Sequence, residues 1–265
     1  MGLLDGKNAL IFGVANDHSI GWGIARSMHE QGARLAFSYA AEALERRVRP
    51  LAESVGADFV ELCDVTRDDH VQRVFQRAAE QLGSLDSLVH SIAFANREDL
   101  EGHFSDTSRS GFLTAMDISV YSFLALAREA AGIMPRGGSV LTLTYNAGSR
   151  VVPNYNVMGV AKAALEATTR YLAADLGPRG IRVNAISAGP IRTLSAAGVS
   201  GFKRWHREFP NLAPMRRHVT IEDIGSAAVW LASDLAQNVT GGVHFVDSGY
   251  NILGIADTDE QGSAD

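Results

Sequence analysis

Cysteine occurs once in the 265 residues, at Cys63. One thiol forms no internal disulfide and supplies no cysteine-rich zinc site, and at the end of an apolar segment its expected role is packing. No metal-ligand cluster is expected elsewhere. Long uncharged runs are also missing. The longest stretch without Asp, Glu, Lys or Arg is Gly137–Ser149, thirteen residues, whereas a membrane-spanning helix needs about 20 apolar ones. Basic tracts are absent as well. Twenty-four Lys and Arg against thirty Asp and Glu leave a formal charge of −6, which argues against nucleic-acid binding. The opening Met1–Lys7 lacks the basic-then-apolar order of a secretory signal, so a cytoplasmic protein is expected.

What the chain does have is apolar material, 46% of residues against 20% charged, enough for one large domain. Short apolar runs at 8–13, 33–39, 58–63, 85–90, 138–144, 181–187 and 242–247 alternate with segments of helical periodicity such as 20–31 and 69–82. That order, with strands apolar on both faces, predicts an α/β domain, a doubly wound parallel sheet of the Rossmann type between helix layers. The domain is expected to run from 1 to 256. Residues 257–265, with four acidic side chains, read as a frayed tail.

Doubly wound sheets bind nucleotides at the carboxyl ends of their strands, beside a glycine turn and a helix N-terminus. The first run ends at Gly13 and continues Val-Ala-Asn-Asp-His-Ser19-Ile20-Gly21. Gly13 permits a tight turn, Ser19 can donate a hydroxyl, and the N–H groups from Ile20 onward face phosphate. Asp64 and Val65 follow the third strand, where a carboxylate can accept from an adenine amino group. Ser91, Ile92 and Ala93 follow the fourth, where small residues admit a ring or ribose. The second strand ends Ser38-Tyr39-Ala40-Ala41 with no adjacent base for a 2′-phosphate, so NADH is expected over NADPH. Arg46 and Arg47 lie one to two turns further on.

The most informative segment contains Tyr155-x-x-Met158-x-x-x-Lys162. A spacing of seven is two helical turns and puts Tyr155 and Lys162 on one face. A phenol of ordinary pKa near 10 is a neutral donor at pH 7, and a nearby lysine stabilises a developing oxyanion.

In these residues the chain resembles the short-chain dehydrogenase/reductase superfamily, specifically its divergent branch of bacterial enoyl-[acyl-carrier-protein] reductases. The shared blocks are GLLDGKNALIFGVANDHSIGWGIA at the start, CDV at 63–65, HSIAFA at 90–95, DIS at 117–119, PNYNVMGVAKAALEA at 153–167, RVNAISAGPIRT at 182–193 and VTIEDIG at 219–225. The resemblance implies hydride transfer from NADH to the trans-2 double bond of an enoyl-acyl-carrier-protein thioester. Tyr155 would donate to the thioester oxygen and Lys162 would hold the nicotinamide ribose. Tyr145, where carbonyl-reducing relatives place a serine, would line the acyl pocket with Ala95 and Met158. Ser119 stands near a position where those relatives carry asparagine, and both differences favour C=C over C=O reduction. Ile191 and Thr193 would contact the cofactor beneath a lid at about 193–210. A homotetramer built on helices near 107–134 and 155–177 is implied too.

Two other readings stay open: a carbonyl reductase acting on 3-oxoacyl thioesters, and a non-catalytic NAD-binding regulator. Against the first, the Tyr-x-x-x-Lys spacing is absent, because position 159 is glycine. Finally, residues 203–217 hold five bases and one acid. Beside a lid, this patch is expected to steer an acidic carrier protein.

Overall fold

Strands that are apolar on both faces must bury both, and these do. In the computed structural model, which describes residues 1–254, seven strands form one sheet. They are β1 (Asn8–Phe12), β2 (Arg34–Tyr39), β3 (Val60–Leu62), β4 (Ser87–His90), β5 (Gly138–Thr144), β6 (Ile181–Ala188) and β7 (Val243–Val246), in the order β3-β2-β1-β4-β5-β6-β7. Every pairing is parallel. All seven expected strands are present; the third is shorter than its apolar run. The tail expected at 257–265 lies outside the described residues.

The connecting helices are α1 (Ile20–Glu30), α2 (Glu42–Ser54), α3 (Asp68–Leu82), α4 (Arg109–Met116), α5 (Ser122–Gly132), α6 (Asn156–Leu176), α7 (Phe202–Leu212) and α8 (Ile221–Ala232). Side chains alternate across the sheet. Ile11, Leu35, Phe37, Leu141, Leu143 and Ile186 pack with α1, α2 and α8. Leu10, Phe12, Leu88, Val140 and Val183 pack with α3, α5 and α6.

Two sequence expectations are refined here. The helix expected over 107–134 runs from Arg109 to Gly132, with a wide π turn at Asp117–Tyr121 joining α4 to α5. Ser122 Oγ donates to the Ile118 carbonyl at 2.6 Å, a back-bond that loosens helices, and π turns gather at functional sites. Counting charge-free residues also missed that Arg109–Gly132 is long and apolar enough to cross a membrane. Half of that window is buried within the fold, as a core helix requires.

Strand order reverses between β1 and β4, so their carboxyl ends flank a crevice. There Gly13 has φ +93°, and a Cβ on it would lie 2.0 Å from the Ser91 carbonyl oxygen. Only glycine lets these two strand ends come this close.

Beneath the crevice His90 is fully buried, with Nδ1 2.9 Å from Thr142 Oγ1 and Nε2 2.9 Å from Ser122 Oγ. Burial, then the nearby Lys162 charge, lower its pKa to about 3. The folded protein therefore keeps His90 neutral while the unfolded chain protonates it below about pH 6.5. Its contribution to stability is complete above that pH and is lost as pH falls toward 3. His90→Gln should lower stability at pH 7 but flatten the acid limb between pH 6.5 and 4, by up to about 1.4 kcal/mol per pH unit. Urea midpoints measured against pH check this; parallel acid limbs in both proteins would contradict it.

Candidate active site

The nucleotide end is built from β1, β3 and β4. Ser19 precedes α1, but its side chain caps nothing in that helix, whose first turn holds no acidic residue. The first N–H groups of α1 are thus left for an anionic ligand. Ser19 also ties the loop together. Its Oγ accepts from Ala15 N (3.0 Å) and Asn16 N (3.1 Å) and donates to Asn16 Oδ1 (3.2 Å). It shapes the loop, and Ile20 opens the helix. At the end of β3, Asp64 Oδ1 accepts from Thr66 N at 3.0 Å and Oγ1 at 2.7 Å, and Val65 is buried. After β4, Ser91 N donates to the Phe12 carbonyl at 3.1 Å. Ile92, Ala93 and Ala95 lie on the α6-side core. Ser119 fixes this strand exit, its Oγ accepting from Phe94 N at 3.0 Å and donating to Phe94 O at 3.1 Å.

The reactive corner forms where β5 meets α6. Tyr145 follows β5, and its ring stands 5.1 Å from that of Tyr155 at an interplanar angle of 62°. Tyr155 is the N-cap residue of α6, with φ −100° and ψ −22° and its carbonyl accepting from Met158 N at 2.9 Å, and Lys162 follows two turns on. Tyr155 is flanked by Asn154 (φ +62°) and Asn156 (φ +37°). Asparagine tolerates left-handed backbone better than most residues, and such strain collects at functional sites. It turns the phenol toward Tyr145. Met158, expected against substrate, is buried, with its sulfur 3.8 Å from Ser119 Oγ; it floors the corner beneath Tyr155.

Lys162 is 4% exposed, and its Nζ donates to the Leu143 carbonyl at 2.7 Å. Burial lowers its pKa to about 8, opposed by Glu166. Burial likewise pushes both phenols well above the usual tyrosine value, with the two rings adding to the effect at Tyr145. At neutral pH the corner therefore offers two protonated phenols and one buried ammonium.

The segment after β6 closes over it. Ile191 is half-buried, and Thr193 Oγ1 accepts from Ala196 N at 3.1 Å, starting a turn at Ala196–Gly198. α7 then presents Trp205, His206 and Phe209 inward and Lys203, Arg204 and Arg207 outward. Trp205 lies edge-on to Tyr145 at 6.0 Å and to Tyr250 at 6.2 Å. Asp247 holds the Tyr250 turn by accepting from Gly249 N (3.0 Å) and Asn251 N (2.8 Å).

Sequence reading missed Trp205, Tyr250, Thr144 and Glu166. The last had a signal, since it lies one helical turn beyond Lys162. The aromatic pair joins only through tertiary packing. No group of three metal-ligating side chains occurs among the described residues.

A family model described as enoyl-(acyl carrier protein) reductase matches residues 13–251. The enoyl-[acyl-carrier-protein] reductase [NADH] FabI of Bacillus cereus is 57% identical over 256 residues, 96% of this chain and all of that one. Its Aquifex aeolicus counterpart is 51% identical over 262 residues, 98% of this chain and 97% of that one. Among solved structures, the Bacillus cereus enzyme with NADP+ and an indole naphthyridinone superposes with TM-score 0.94 at 56% identity, covering 96% and 100% of the two chains. The Anaplasma phagocytophilum enzyme in complex with NAD gives 0.93 at 48% identity, covering 96% and 97%. Matches of this extent, over a sheet and a corner of this geometry, show that the chain belongs to the enoyl-[acyl-carrier-protein] reductases of the short-chain dehydrogenase/reductase superfamily.

Proposed function

We infer that the chain reduces the trans-2 double bond of an enoyl-acyl-carrier-protein thioester with NADH, the last reductive step of a fatty-acid elongation round. The observation that carries this reading is the paired phenols Tyr145 and Tyr155 where β5 meets α6, the helix whose Lys162 is buried against the Leu143 carbonyl. The crevice fits a dinucleotide: Gly13 leaves room for backbone only, and the uncapped, acid-free start of α1 suits a pyrophosphate. Gly13, Ser19 and Ile20 would frame the phosphates, Asp64 and Val65 the adenine. Ser91, Ile92, Ala93 and Lys162 would hold the nicotinamide ribose region, and Ile191 and Thr193 the carboxamide side. NADH held there would supply the hydride for the β-carbon; the thioester would become an enolate, with the proton for the α-carbon coming from solvent. Tyr155 donates a hydrogen bond to the enolate oxygen. A phenol with a raised pKa keeps its proton, so it stabilises the oxyanion without surrendering the proton outright. Lys162 adds positive charge, and Tyr145, with Ala95 and Met158, shapes the acyl side.

The ribose end favours NADH. Ala40 and Ala41 offer no cation, and α2 opens with Glu42 and with Glu45, which pairs with Arg49. Exposed Leu113, Tyr121, Leu124 and Tyr171 on α4 to α6, and Phe245, Trp230 and Ile252 around the β7 edge, give two apolar faces suited to a homotetramer. A cytoplasmic location accords with the one buried thiol, whose pKa burial pushes up to about 12.

NADH oxidation followed at 340 nm should proceed with a crotonyl or longer enoyl thioester, not with a 3-oxoacyl thioester, and with higher kcat/KM than NADPH gives. Tyr155→Phe should lower kcat by up to about 10²–10³ with NADH affinity retained. Unchanged kinetics in this variant would remove Tyr155 from the site, and turnover of the 3-oxo substrate would favour carbonyl reduction.

The outward face of α7 carries Lys203, Arg204 and Arg207, all exposed. Arg207 pairs with Glu208 at 3.1 Å, an exposed contact of little energetic weight. We propose that this face steers the acidic carrier protein toward the lid. Replacing all three with Glu should raise KM for a carrier-linked substrate far more than for a coenzyme A thioester, and should weaken its salt dependence. Equal effects on both substrates would end the docking idea.

A further inference from the structure

The polar row of β5 that faces α6 runs from Thr142, beneath His90, to Thr144 at the strand end. Thr144 is buried, and its Oγ1 donates to Glu166 Oε1 at 2.7 Å. The preceding residue, Leu143, supplies the carbonyl that receives Lys162 Nζ at 2.7 Å. Consecutive strand residues therefore grip the ammonium and the carboxylate of one helix, four residues apart. The carboxylate also backs the turn after Tyr145. A Cβ on Gly148 would lie 2.4 Å from Glu166 Oε1, so this glycine is the space the carboxylate occupies.

We propose that Glu166 is a positioning residue for Lys162: anchored by Thr144, its negative charge keeps the buried lysine an ammonium and holds the turn carrying Tyr145. The proposal rests on the reductase reading of the corner, since only there does the lysine's charge serve a reaction. Two titratable groups act on the ammonium. Glu166 on its own helix favours the charge. His90 on β4 stays neutral and adds no opposing charge. The Leu143 carbonyl dipole from β5 supports it. Burial works against all of this, and Glu166 is the countercharge that limits the loss.

The chain has only three lysines, Lys7, Lys162 and Lys203, so Lys162 can be titrated directly. Full-length protein carrying 13Cε-lysine gives three side-chain signals, assigned through Lys7→Arg and Lys203→Arg. Glu166→Gln keeps the volume and the acceptor for Thr144 but removes the charge. Its Lys162 midpoint should fall by about one pH unit, while Glu166→Asp stays closer to the wild type. The basic limb of kcat/KM for an enoyl thioester should move down with it. A purely structural Glu166 would change stability or overall rate and leave both midpoints in place, and that result overturns the proposal. If Glu166→Gln does not fold, Thr144→Val replaces it: releasing the carboxylate from its anchor should also lower the Lys162 midpoint, and an unchanged midpoint again overturns the proposal. The titration needs no turnover. A wild-type protein inactive on enoyl thioesters would defeat the reductase reading separately, whatever the lysine does.

Discussion

The Lys162–Leu143 hydrogen bond is the contact on which the rest of the corner depends. It sets a charged nitrogen inside the protein, 4% exposed, at the point where β5 ends and α6 begins. Lowering a lysine pKa from its usual value to about 8 corresponds to roughly 3 kcal/mol against the charged form. The surroundings are arranged around that cost. His90 is locked neutral between Thr142 and Ser122, and the two phenols hold their protons. The ammonium is thus the only one of these groups that carries charge, held against the Leu143 carbonyl at the end of β5.

The sheet supplies rigidity at one end of the site, and the segment after β6 supplies cover at the other. Gly13 and Ser91 bring two strand ends into backbone contact, so the dinucleotide crevice is a property of the fold. The cover is aromatic. Trp205 on α7 meets Tyr145 and Tyr250 edge-on, while the opposite face of the same helix is basic and exposed. One helix therefore packs aromatics on its inner side and exposes three bases on its outer side.

Most of the architecture was legible before any coordinates, because buried parallel strands are short apolar runs and the helices between them carry clear periodicity. β3 shrank to Val60–Leu62, as expected of a strand at the sheet edge. The π turn at Asp117–Tyr121 left little trace in the pattern; there Ser119 Oγ accepts from Phe94 N and Ser122 Oγ donates to Ile118 O. In the site, local geometry was not legible. The seven-residue spacing suggested a helix face but not that Tyr155 is the N-cap of α6, between Asn154 and Asn156 in left-handed backbone. The spacing did not show that the Ser19 hydroxyl also accepts from Ala15 and Asn16 to shape the loop. Trp205 and Tyr250 meet across 45 residues of chain, a separation that periodicity does not bridge.

If the buried ammonium is retained for function at the expense of stability, removing it should separate the two. The depressed pKa penalises the native state at every pH below about 8, and the penalty fades as pH rises toward the unfolded lysine value. Thermal unfolding of Lys162→Met at pH 7, with and without NADH, measures this directly. The account predicts a melting temperature without NADH at least equal to the wild type and up to a few degrees higher, at about 2–4 °C per kcal/mol, and little or no rise on adding NADH. A variant that melts well below the wild type yet gains the full stabilisation from NADH would contradict it.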